Sequence, residues 1–155
     1  MIDHTLTLPD ENTKRFVAIL NEKIDMGRLL NALGHMTAGL VGQFTDLSEL
    51  CFLKYMDRDG GIHPNISHFP FIVLKAENSN QIRKVRQEAI NRGLKFSDFT
   101  KTMTIGSSAA QMEATAQSPE LELDYFGICL FGDTITLREF TKKFSLFNPK
   151  RPVES

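Results

Sequence analysis

Two cysteines in 155 residues, no long apolar run and almost no net charge set the first limits on this chain. Cys51 and Cys129 lie far apart in separate apolar, strand-like runs, without metal-ligand spacing. They read as buried, reduced thiols, which points to the cytoplasm. No stretch approaches the ~18 consecutive apolar residues that a membrane-spanning helix needs. The first residues, MIDHTLTLPDENTKRF, have neither a basic leader region nor an apolar one, so no secretory signal is expected. A net charge of −1 supplies no global field to draw in nucleic acid. Also missing are a G-x-S-x-G elbow, a phosphate-binding P-loop, a dinucleotide fingerprint and a C-x-x-C pair. The stretch DRDGGIHPNISH is acidic and carries His63 and His68. It fails as a calcium loop because Ile62 stands where glycine is required, and its histidine spacing matches no zinc motif. No cofactor, no metal and no membrane association are therefore expected.

What is present is an ordinary globular composition, 41% hydrophobic and 24% charged. The length suits a single domain over residues 1–155, with a core of about 15–147 and frayed ends, including the tail from Lys150. RFVAIL (residues 15–20), FPFIVLKA (69–76) and YFGICLFG (125–132) read as strands buried on both faces. CFLKYM (51–56) and LKFSDF (94–99) alternate like strands, and DRDGG between them is a turn. Asp25 is an N-cap for a helix whose apolar positions are Leu29, Leu30, Leu33, Met36, Leu40 and Val41. A second helix follows Asn78, with Ile82, Val85, Ala89 and Ile90 on one face and Gly93 just past its end. Residues 100–119 read as a loop holding at most one short helix. A last helix has Thr136 and Glu139 at capping-box spacing. Strands alternating with helices imply an α/β fold with a mixed, mostly parallel sheet covered by helices.

The first helix holds the best candidate for chemistry. Gly34 and Gly39, with Ala32 and Ala38, explain themselves by close packing against another element, although each glycine costs about 1 kcal/mol. His35 is not explained that way. Asn31 lies one turn before it on the same face, and a histidine there suits an acid, a base or a hydrogen-bond donor at a cleft. In LKFSDF, alternation sets Leu94, Phe96 and Asp98 on one face, with Asp98 at the strand's C-terminal end, where α/β sheets bind ligands. A carboxylate there needs a partner, and His35, Lys23 and Lys101 are the candidates. GSSAAQ (106–111) is a weaker candidate for a phosphate-binding loop.

With these elements placed, the chain from about Arg15 to Phe147 resembles a bacterial family of unknown function with the peptidyl-tRNA hydrolase II-like fold. LNALGHMTAGL, DRDGGIH, FPFIVLKA, SDF and YFGICLFGDTITLREFTKKFSLF carry the resemblance. The likeness to peptidyl-tRNA hydrolase II itself is more distant. Met26 and Gly27 resemble the start of that enzyme's M-G-K-G-K segment, Arg28 replaces its first lysine, and His35 resembles its helix histidine. The second lysine is missing, and Ala32 stands at the glutamine position. Asp98, Lys101 and Thr102 match three positions of its D-A-G-R-T-Q motif, while Thr141 matches a threonine in its last helix.

The resemblance implies ester or amide cleavage with His35 and Asp98 as catalytic residues. Lys23, Arg28, Asn31, Lys101 and Thr102 would then bind substrate. Such cleavage needs a positioned water, a proton acceptor and a stabilised oxyanion. Scattered lysines and arginines argue against a tRNA substrate. Three readings follow: a hydrolase acting on a small ester or amide, a non-catalytic module binding a small ligand or a protein, and a true peptidyl-tRNA hydrolase. Contact between His35 and Asp98 favours an enzyme, and an open cleft with His35 far from any carboxylate favours binding. Apolar edges such as CFLKYM also make a homodimer an expectation to test.

Overall fold

The structure, a computed structural model, describes residues 7–148. The chain termini read as frayed lie outside the described residues. The order of elements is β1 (Lys14–Asn21), α1 (Met26–Val41), β2 (Phe52–Met56), β3 (Ile62–Ser67), β4 (Phe71–Ala76), α2 (Ser79–Asn91), β5 (Lys95–Thr100), α3 (Ser108–Ala116), β6 (Tyr125–Asp133) and α4 (Thr134–Thr141). Four strands form one sheet in the order β4-β1-β6-β5, and β2 with β3 form a separate hairpin.

The sheet is mixed, but it is not mostly parallel as the alternation of strands and helices suggested. β1 pairs in parallel with β4, whereas β6 runs antiparallel to both of its neighbours, β1 and β5. The connection from Lys101 to Asp124 explains the difference. It stays at the edge of the sheet where β5 ends and re-enters from that edge, so β6 must run back. As a result β4, β1 and β5 all end at one edge, where β6 begins.

Each face of the sheet has its own core. Phe16, Ala18 and Leu20 of β1 point to one side and pack with Leu29, Ala32, Met36 and Leu40 of α1. Val17 and Ile19 point to the other side, toward Ile82, Val85 and Ala89 of α2 and Leu137 of α4. This is the period-2 alternation of a strand buried on both faces. A register shift between Phe99 and Thr100, opposite Gly127 and Tyr125, leaves Phe126 with the α1 core and Tyr125 with the α2 core.

The glycines of α1 do not all serve close packing. A Cβ at Gly39 would stand 3.4 Å from Ser97 Oγ on β5, so this position is a true close approach. A Cβ at Gly34 would meet nothing within 4 Å. Nothing in the structure explains Gly34. Residues 100–119 carry the one short helix expected within that loop, α3. Two smaller readings change. The DRDGGIHPNISH segment is a hairpin turn followed by β3 rather than a turn alone. Finally, α4 starts at Thr134 behind Asp133, so Thr136 lies inside the helix and does not cap it.

Candidate ligand cleft at the strand ends

The cleft is built where β1 ends. Asn21 is buried there, and its Nδ2 donates to the Tyr125 carbonyl (3.1 Å) while its Oδ1 accepts from the Lys23 amide (3.0 Å). The turn then presents Lys23 and Ile24 before Asp25 opens α1. The Asp25 carboxylate accepts from the Arg28 amide (3.2 Å) and lies 3.3 Å from the Arg28 guanidinium, as an N-cap should. The residues after β5 are fixed in turn. The Lys101 amide donates to the Asp124 carbonyl (2.9 Å). The hydroxyls of Thr100, Thr102 and Thr115 form a chain with 2.7 Å links, and Thr115 donates onward to the Gln111 carbonyl (2.8 Å).

Two adjoining cavities result. The first, about 530 Å³, is lined by Lys23, Arg28, Lys101, Arg83 and the N-terminal residues of α2. The second, about 520 Å³, is lined by Arg28, Asn31, His35, Phe99 and Gln111. Arg28 and Phe126 belong to both walls. Lys23, Arg28, Arg83 and Lys101 face Glu122 and Asp124 across the first cavity. Arg83 is already spent on Glu120, at 3.2 Å, and Arg28 is paired with Asp25. Among the described residues, Lys23 and Lys101 make no ion pair. These two lysines lie beside the start of α2, where the helix dipole adds positive potential, and Glu122 and Asp124, which also make no ion pair among the described residues, face them across the cavity.

The sequence-selected residues thus fall into two groups. Lys23, Arg28, Asn31, His35 and Lys101 line the paired cavities. Asp98 and Thr102 do not. The Thr102 hydroxyl is spent between Thr100 and Thr115. Asp98 lies on the opposite face of the sheet from His35. Its carboxylate, 17% exposed, accepts from Arg86 Nε at 3.0 Å. Burial raises its pKa above the usual carboxylate value, and the Arg86 charge opposes that rise. His35 is exposed, and its ring lies nearly parallel to Phe99 with centroids 5.9 Å apart. Thr141 is buried, and its hydroxyl donates to the Leu137 carbonyl. In GSSAAQ, Ser107 caps α3 by accepting from the Ala110 amide.

Sequence reasoning missed Arg86 as the partner of Asp98, and it missed Phe99, Gln111 and Phe126 as walls of the cleft. Arg86 falls three residues after Arg83 on α2, the same side of one helix. That spacing was the available signal. Among the described residues, no three His, Cys, Asp or Glu side chains gather as a metal site.

A family model for proteins of unknown function (DUF2000) matches residues 14–148, nearly the whole of this structure. The chain belongs to that family. A solved structure of a protein of unknown function from Agrobacterium tumefaciens str. C58 shares its fold, with a TM-score of 0.75. The likeness covers 88% of this chain and 98% of that one, at 21% identity. No curated protein matches. Family membership therefore carries a fold and no activity, and the chemistry rests on the cleft.

Proposed function

We propose that this member of the family binds a small anionic molecule, a carboxylate or phosphate ester, at the strand-end cleft. One observation carries the reading: Lys23 and Arg28, from the turn after β1 and the first turn of α1, converge on one cavity with Lys101 from the end of β5. The ligand's anion would lie among them, beside the start of α2, and its remaining part would extend past Arg28 toward His35 and Phe99. Because His35 has no carboxylate partner among the described residues, binding ranks above catalysis. Free Cys51 and Cys129 suit the cytoplasmic location that we propose with it.

The test is an NMR titration of the ¹⁵N-labelled protein with phenyl phosphate and with N-acetylphenylalanine. Saturable shifts at residues 23–28 and 101–104, weakened at least tenfold in Lys101→Ala, support the reading. No saturable shift with either compound at millimolar concentration defeats it.

A second reading follows from the resemblance to peptidyl-tRNA hydrolase II, whose fold we infer here too. His35 lines the cavity next to the cations, and among the described residues its ring nitrogens make no hydrogen bond. It would take a proton from a water attacking an ester, with Arg28 and Lys23 stabilising the oxyanion. Release of an N-blocked amino acid from aminoacyl-tRNA by the wild type, lost in His35→Ala, would establish it. Equal rates in the two proteins would end it.

A further inference from the structure

We infer that the anion taken by this cleft carries a flexible acyl chain. The inference rests on the binding reading above and adds the ligand's chemical class. A third cavity of about 430 Å³ follows the first two, lined by Met103, Ser108, Gln111, Met112, Thr115 and Ala116. Met103 and Gln111 belong both to this groove and to the His35 cavity. The three spaces therefore lie side by side, the first two sharing the Arg28 and Phe126 walls and the last two sharing Met103 and Gln111. They extend in that order from Lys23 and Lys101, by His35 and Phe99, to the face of α3.

That end is apolar for a reason visible in α3. Ser108, Gln111, Met112, Thr115 and Ala116 recur at helical spacing and share one face. Met112 is 74% exposed beside the groove. Methionine side chains are flexible and polarisable, so they suit an apolar occupant without a fixed shape. A start lined by cations, a middle walled by the stacked His35 and Phe99 rings and a methionine-lined end fit a linear amphiphile. Its carboxylate would lie by Lys23, Arg28 and Lys101, and its chain would run over Met103 to Met112.

The experiment is a calorimetric series of straight-chain carboxylates from acetate to dodecanoate, held below their micelle concentrations. The expected result is affinity rising up to roughly fourfold per buried methylene, levelling off once the groove is filled. The double variant Met112→Gln/Ala116→Gln changes two exposed positions on α3. It should flatten that rise while acetate and butanoate bind as they do to the wild type. Short anions binding with no dependence on chain length would overturn the acyl inference and leave the anion-binding reading standing. Failure of every carboxylate and of phenyl phosphate would remove both. A chain-length dependence that survives in the double variant would overturn the inference, because the chain would then lie elsewhere. Sedimentation of both proteins adds one more overturning outcome: a wild-type dimer lost in the variant makes the groove a contact between copies.

Discussion

His35 and Asp98 stand on opposite faces of the same sheet. Phe99, the residue after Asp98, is the one whose ring His35 stacks on, at 5.9 Å. Neighbouring strand residues point to opposite faces, so the chain that brings Phe99 to His35 turns Asp98 toward α2 and Arg86. A pair of catalytic residues expected from sequence is therefore divided between the candidate cleft and a separate charge network.

The division makes a direct prediction about titration. In Asp98→Asn, the NMR titration curve of His35 should overlay that of the wild type. A displaced midpoint would show coupling through the sheet and return the two residues to a common site.

Asp98 also gives an unusual sign to the pH dependence of stability. Burial raises its pKa above 3.8, with Arg86 opposing. The folded chain therefore holds this proton more tightly than the unfolded chain. Across the window from 3.8 up to the raised folded value, this group's contribution to stability grows as pH falls and is lost as pH rises. Asp57 runs the other way. Hydrogen bonds from His63 and the Gly61 amide lower its pKa, so its contribution is lost on acidification. Stability of the wild type minus that of Asp98→Asn, from urea unfolding at several pH values, should increase from neutral pH toward 3.8. A difference that shrinks in acid would mean that the Arg86 pairing outweighs burial.

The two glycines separate packing from propensity. At Gly127 of β6 an added Cβ would lie 2.8 Å from Leu20 Cδ2, 2.9 Å from the Ile19 carbonyl oxygen and 3.0 Å from Met36 Cε. The carbonyl cannot move aside, so Gly127→Ala should cost about 1–3 kcal/mol. Gly34 sits in mid-helix beside open space, and Gly34→Ala should gain about 0.5–1 kcal/mol. Denaturation midpoints measure both. Stabilisation at Gly127 or loss at Gly34 would contradict the packing described.

These contrasts show where the sequence was legible. Strands buried on both faces, such as RFVAIL and YFGICLFG, announce themselves because neither face tolerates polar residues. The Asp25 cap and the Gly93 helix end are equally readable, since Asp25 accepts from the Arg28 amide and Gly93 takes φ +64°, whereas the capping-box spacing of Thr136 misled because α4 begins two residues earlier. β3 was hidden by Pro64 and by Asn65 at φ +61°, which break strand patterning. α3 was legible only as an unbounded short helix within residues 100–119, because it buries no residue and so carries no strong apolar period. The face that Asp98 occupies was legible from Phe96. What waits on that face was not, because Arg86 arrives from another element, and one-dimensional spacing does not report on pairing between elements.

Arg83 links the charge network to the cleft. Its Nη2 donates to the carbonyls of Glu120 (3.3 Å), Leu121 (3.2 Å) and Leu123 (2.9 Å), and its Nε lies 3.2 Å from the Glu120 carboxylate. Tyr125 OH donates to the same carboxylate at 2.8 Å. One guanidinium thus fixes the segment that walls the first cavity. The next carbonyl along, that of Asp124, holds the Lys101 amide. Arg83→Lys keeps the charge and loses the fork of donors that reaches several carbonyls at once. It should cost about 1–3 kcal/mol in stability. Amide exchange at residues 121–124 and at Lys101 should accelerate, and phenyl phosphate should bind several-fold more weakly. Protection at 121–124 equal to that of the wild type would show that this wall stands without Arg83, and any weakening of binding would then have to be assigned to the cations themselves.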